Sequence, residues 1–186
     1  MAGNDDMRYY DTFFAVHLND WMETYGSFVN HHKLLTKEYE SEGCSTLDAS
    51  SCSETYEFLY PEHIKKVYFI EGVIKGQITI VATSASVTVN DYRVTVCKVD
   101  DAGVKTELFT TGWITTGTYL EWDAVYSVGD EIVYPFRIDA WDKAKLFDHE
   151  RIFLRVQVDA DSADAYLWHS NDATWEDIKI TIPFKM

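Results

Sequence analysis

Over Arg151–Ala160 the chain alternates. Ile152, Leu154, Val156 and Val158 share one parity, while Arg151, Arg155, Gln157 and Asp159 share the other, with Phe153 the exception. A period of two is the mark of a strand with one face in a core and one near water. The closing residues 177–184 repeat it, with Ile178, Ile180 and Ile182 inward, as do residues 77–83 with Ile78, Ile80 and Ala82. Further strands are predicted at 64–70, 86–89, 92–97, 104–113, 119–122 and 131–140. Asn90-Asp91 reads as a tight hairpin between two of them, and residues 100–103 and Gly129-Asp130 as further turns. Pro135 lacks a ladder donor, which predicts an edge strand or a bulge. Residues 142–150 read as a charged loop before the central strand.

A different period governs the start. Tyr10, Phe13, Phe14, His17, Leu18, Trp21, Met22 and Tyr25 recur at helical spacing. They predict an amphipathic helix from about Asp11 to Gly26, where glycine suits the position after a helix end. A strand reading competes, because Tyr and Phe also favour sheets. Residues 38–54 are acidic, small and turn-forming, and read as a long loop or arm. The expected architecture is all-β: an antiparallel β-sandwich of jelly-roll type with about eight or nine strands. The division is residues 1–60 as N-terminal helix and arm and residues 61–186 as the sandwich.

Composition narrows the function classes. Hydrophobic residues at 46% and aromatics at 15% suit a packed core rather than a disordered chain. A formal net charge of −15 repels phosphate backbones and anionic bilayers, so nucleic acid is not an expected partner. The same charge is read either as a solubility device or as complementing a basic partner. No apolar run approaches the roughly 20 residues needed to cross a bilayer. The polar first residues lack the pattern of a secretory signal, and if this is the native start the protein is expected to stay in a cytoplasm or to leave it by another route such as assembly into a particle. Three cysteines, Cys44, Cys52 and Cys97, fit no zinc spacing and read as thiols, although Cys44 and Cys52 could close a small loop.

Candidate chemistry is sparse. Asp159, Asp161 and Asp164 could offer hard oxygens to calcium, but neither the glycine nor the distal glutamate of an EF-hand loop follows. An acidic turn explains them as well. The adjacent His31 and His32 point to opposite faces of a strand, so one ion would not easily hold both. No nucleophile motif, phosphate-cradling loop or Cys-x-x-Cys occurs, so no catalytic residue and no cofactor is expected and the protein reads as non-enzymatic. The aromatic stripe, Tyr10, Phe13, Phe14 and Trp21, suits packing or a subunit contact. Trp141, Trp168, Asn171 and Trp175 form a second group. Residues 166–175 could stack sugars on tryptophan while Asn171 bonds hydroxyls, which gives a carbohydrate-binding module as the alternative.

The run from Gly129 to Ile138 looks like the Gly-Asp-before-strand feature of many jelly-roll modules, and residues 177–184 look like their last strand. With the aromatic N-terminal segment and no catalytic motif, the chain resembles small β-sandwich structural proteins of tailed-virus particles. That resemblance implies a virion component at the capsid surface, neck or tail. Its partners would be other protein subunits, in a homo-oligomer or a hetero-assembly, with a glycan as the alternative ligand and no membrane insertion.

Overall fold

In the computed structural model the described residues are 8–25, 27–37, 47–49, 54–62, 68–82, 87–115, 125–126, 131–160, 165–168 and 178–185. Among them the regular structure is entirely β. The strands are β1 (Arg8–Tyr25), β2 (Phe28–Thr36), β3 (Leu47–Ala49), β4 (Glu54–Leu59), β5 (Tyr68–Ala82), β6 (Val87–Val99) and β7 (Lys105–Thr110). They continue as β8 (Ile114–Thr115), β9 (Val125–Tyr126), β10 (Glu131–Leu146), β11 (Arg151–Ala160), β12 (Ala165–Trp168) and β13 (Lys179–Lys185).

Two antiparallel leaves result. The first runs β10-β5-β13-β1-β2 and the second β4-β11-β6-β7, joined by one parallel bridge from Leu34 to Leu59. On the first leaf, β12 takes over the edge of β5 beyond β13, pairing Ala165 to Trp168 with Ala82 to Thr79. On the second, β7, β8 and β9 successively pair with β6. The inward parity of each leaf fills one core: Ile70, Ile74, Ile78, Ile180 and Ile182 from the first, Val94, Val96, Leu154 and Val156 from the second.

The helix expected over residues 10–25 is instead the strand β1. It lies between β13 and β2, with Phe13 opposite Ile180 and Ala15 opposite Leu35. Helical spacing arose because both parities of this strand carry aromatics: Phe13 is buried, while Tyr10 on the opposite parity is exposed. Once neighbours exist on both edges, ladder hydrogen bonds and cross-strand packing favour the extended form. Strands within residues 1–60 thus pair with later ones: β1 with β13, and β4 with β11.

Three other expectations change. Asn90-Asp91 is not a hairpin, since β6 runs straight through it. The pairing with β11 steps from Asp159–Asp91 to Ala160–Val89, so the extra residue is absorbed as a bulge. The strands expected on either side of Gly72 form one long strand, with Gly72 at φ 131°, a conformation that favours glycine. Finally, β10 continues through Trp141 to Leu146, and the turn before β11 is confined to 147–150, with His149 at φ 72°.

Other expectations hold. Pro135 lies on β10, which pairs with β5 alone among the described residues, so it is on an edge. The turn at 100–103 is present: the Asp100 carboxylate accepts from Ala102 N at 3.0 Å and Val104 N at 2.8 Å. The exception in the central strand also has an explanation. Phe153 lies on the outward parity but is fully buried with Leu59, Cys97 and Val99 in a second, small cluster. Near that end, Ser27 N of the β1–β2 hairpin donates to Ala102 O at 3.4 Å.

Candidate interaction face

The outer face of the first leaf is built by the polar parity of four neighbouring strands. On β1 this parity carries Arg8, Tyr10, Thr12 and Phe14, and on β13 it carries Lys179, Thr181, Pro183 and Lys185. Thr181 sits opposite Lys75 of β5, and Lys75 opposite Arg137 of β10. Directly opposed residues in antiparallel pairs share a face, so rows run across the leaf. One row is Thr12, Thr181, Lys75 and Arg137, with the two threonine hydroxyls 2.9 Å apart. The next holds Tyr10, opposite Pro183, and Val73, opposite Asp139. Tyr10, Val73, Lys75, Arg137 and Thr181 line a shallow groove of about 430 Å³.

The third row centres on Glu71. Its carboxylate meets Arg8 at 3.5 Å, Lys143 at 3.2 Å and Lys185 at 3.9 Å. One anion thus gathers three cations. Gly72 beside it marks the level at which both flanking pairings slip, between Ala140 and Ala144 on β10 and between Thr181 and Phe184 on β13. The slip in β10 contains Trp141, which is 55% exposed and lies 5.6 Å beneath the Arg8 guanidinium. The Arg8 Nε finds no hydrogen-bond acceptor among the described residues.

Charge is therefore distributed unevenly. Arg8, Lys75, Arg137, Lys143, Lys179 and Lys185 stand on this face with Glu71 and Asp139, in a chain carrying 31 acids and 16 Lys and Arg. Two large aromatics, Tyr10 at 59% and Trp141 at 55% exposure, stand among those cations. With strands about 4.8 Å apart, β1 and β10 are separated by about 14 Å.

The outer face of the second leaf differs. There Arg155 joins Glu57 at 3.0 Å and also pairs with Glu107, while Lys105 meets Glu57 at 2.6 Å and Arg93 meets Glu107 at 3.4 Å. Both acids are shared between two cations, a closed lattice that suits a finished surface. Cys97 beneath it is fully buried, and burial pushes its thiol up to about 12.

Of the residues singled out from sequence, Tyr10 and Trp141 come together on the first face. Phe14 is half-buried at the level of Lys179 on that face. Phe13 belongs to the core, 5.0 Å from the Tyr60 ring. Trp21 lies in β1 and Trp168 in β12, with side chains outside the described residues. Asn171, Trp175, Asp161 and Asp164 also lie outside them. Asp159 is half-buried in β11, and no group of three or more His, Cys, Asp or Glu among the described residues could hold a metal ion. Sequence reasoning missed Arg8, Glu71, Lys75 and Arg137. The available sign was the period-two run Arg137, Asp139, Trp141, opposite in parity to Phe136, Ile138 and Ala140.

No family model matches the chain, and no curated protein matches it. Among solved structures it is similar to an aminopeptidase from a marine sediment archaeon, Thaumarchaeota archaeon. That match has a TM-score of 0.56 at 10% identity and covers 94% of this chain and 37% of the other. A CocE/NonD family hydrolase from Staphylococcus aureus follows with a TM-score of 0.40 at 11% identity, covering 94% and 34%. A chain of infectious bursal disease virus, Gx strain, has a TM-score of 0.38 at 10% identity, covering 97% and 37%. The chain thus spans little more than a third of the length of these solved chains. The aminopeptidase match supports a shared β fold.

Proposed function

We propose that this chain, a β-sandwich whose connectivity we read as jelly-roll-like, is a non-enzymatic structural protein that docks into a larger assembly through the outer face of its first leaf. The observation that carries this reading is the gathering of Tyr10, Trp141 and six cations on one sheet face of a strongly acidic protein. Aromatic and arginine side chains supply most binding energy at protein interfaces, and surrounding charges set register and partner choice. A virion is the assembly we favour, on the sequence-level resemblance to β-sandwich proteins of tailed-virus particles. No helix among the described residues is long and apolar enough to cross a membrane.

The test is sedimentation of the 21.5 kDa chain with particles purified from its source, beside the variants Trp141→Ala and Arg137→Glu. The wild type is expected in the particle fraction, and both variants in the free fraction with unchanged unfolding curves. A wild-type chain that stays free and monomeric, or that turns over peptide, ester or glycoside substrates, overturns the reading.

A further inference from the structure

We infer that the occupant of this face is an extended acidic segment of a partner protein, in which the residues facing the sheet run acid, apolar, acid. The inference rests on the docking reading above and adds the partner's chemistry. It follows from the order of the rows. A cationic row, Lys75 and Arg137, the latter paired with Asp139 at 2.8 Å, lies on one side of the Tyr10 and Val73 row, and a second, Arg8, Lys143 and Lys185 around Glu71, lies on the other, so the cations outnumber the acids on both sides. Adjacent rows are two residues apart along each strand, about 7 Å. An extended segment running along the strands presents residues i, i+2 and i+4 to the face at that same spacing. Carboxylates at i and i+4 then meet the two cationic rows, while an apolar side chain at i+2 enters the groove beside Tyr10.

The alternatives fit less well. Duplex nucleic acid would offer phosphates to the cations, but a duplex extends past this face onto the rest of a chain at −15, which a short segment does not, and Tyr10 and Val73 have no apolar partner on a phosphate backbone. A sulfated saccharide could stack on Tyr10, yet the rings available to it are poorly placed. Trp141 is covered on one side by Arg8, and Tyr10 stands about three strand spacings away on β1. The cationic rows about 14 Å apart, with Tyr10, Pro183 and Val73 between them and Asp139 held by Arg137 at the β10 end, match a peptide repeat better than a sugar ring.

The experiment uses the intact chain and a short labelled peptide with Glu at i and i+4, Leu at i+2 and Ser between, followed by fluorescence anisotropy. Saturable binding is expected. The double variant Lys75→Glu/Arg137→Glu should weaken it about tenfold or more. The same variant should bind a peptide in which only the glutamate facing the Lys75 and Arg137 row is replaced by lysine, an inversion that a misfolded protein would not show. Tyr10→Ala should weaken binding of both peptides to their matching proteins. No saturable binding by folded wild type, binding indifferent to the double variant, or stronger binding of a DNA duplex or a heparin fragment overturns the inference. If the peptide fails while Trp141→Ala still releases the protein from particles, the acidic partner falls and the docking reading stands.

Discussion

The Tyr92 hydroxyl donates a 2.9 Å hydrogen bond to the Pro135 carbonyl, tying the second leaf to the edge strand of the first. The two residues are far apart in sequence, and the adjoining Tyr92 and Tyr134 rings are 5.2 Å apart. Proline suits this edge because it has no N–H to leave unpaired, while its carbonyl still serves the opposite leaf.

Tyr92→Phe keeps the ring and removes the bond. Urea unfolding should show a loss of about 0.5–1.5 kcal/mol with an unchanged m-value. A loss near zero would mean that the hydroxyl adds nothing to the ring packing and the β10–β5 ladder at this edge.

Gly76 lies between β10 and β13, and a Cβ there would meet the Lys179 carbonyl and the Phe136 ring, with Phe136 Cε1 at 2.7 Å. The carbonyl belongs to the ladder and cannot swing away. Gly76→Ala should cost about 1–3 kcal/mol, read from the shift of the denaturation midpoint, and should loosen the neighbouring groove.

The Arg155 lattice closes the second leaf, so its removal should be felt more than that of an ordinary surface pair. Arg155→Met leaves Glu57 and Glu107 to Lys105 and Arg93 alone. A loss of about 1–2 kcal/mol is expected, shrinking at high salt because these groups are partly exposed. A double-mutant cycle with Glu57→Gln should give a favourable coupling for the pair.

Burial raises the Cys97 thiol from 9.0 to about 12, which fixes a pH dependence of known sign. Below pH 9 both the folded and unfolded thiols are protonated and stability is unaffected. Between 9 and about 12 the unfolded thiol ionises while the folded one does not, so stability falls by at most about 1.4 kcal/mol per unit. Tyr60 and Tyr9, also pushed up by burial, add the same sign above pH 10. Cys97→Ala should flatten the first part of that decline in urea titrations run across the alkaline range. The thiol should also resist Ellman's reagent at pH 8 until the protein is unfolded.

How much of this was legible differs from strand to strand. The alternation in Arg151–Ala160 and in residues 178–184 was readable directly, because their inward parity is uniformly apolar and one buried face imposes a period of two. Pro135 announced an edge through its missing donor. In β1 both parities are aromatic, so local pattern favoured a helix, and only the pairing with β13 and β2 decided for a strand. The Asn90-Asp91 dipeptide suits a turn and a bulge equally, and its long-range partner β11 chose the bulge.

The candidate face shows the same division. Sequence alone determined that the chain is β-rich, strongly acidic and without a catalytic motif, because period, charge count and motif are local properties. It also marked Tyr10 and Trp141 as candidates, one by one. That these stand with Arg8, Lys75 and Arg137 on one surface was decided by the strand order β10-β5-β13-β1. Neighbours in that order come from residues 8–14, 71–75, 137–143 and 179–185, and no local rule relates segments so far apart. Cross-strand hydrogen bonding, which fixes register between them, is what turned scattered lysines and arginines into a single face.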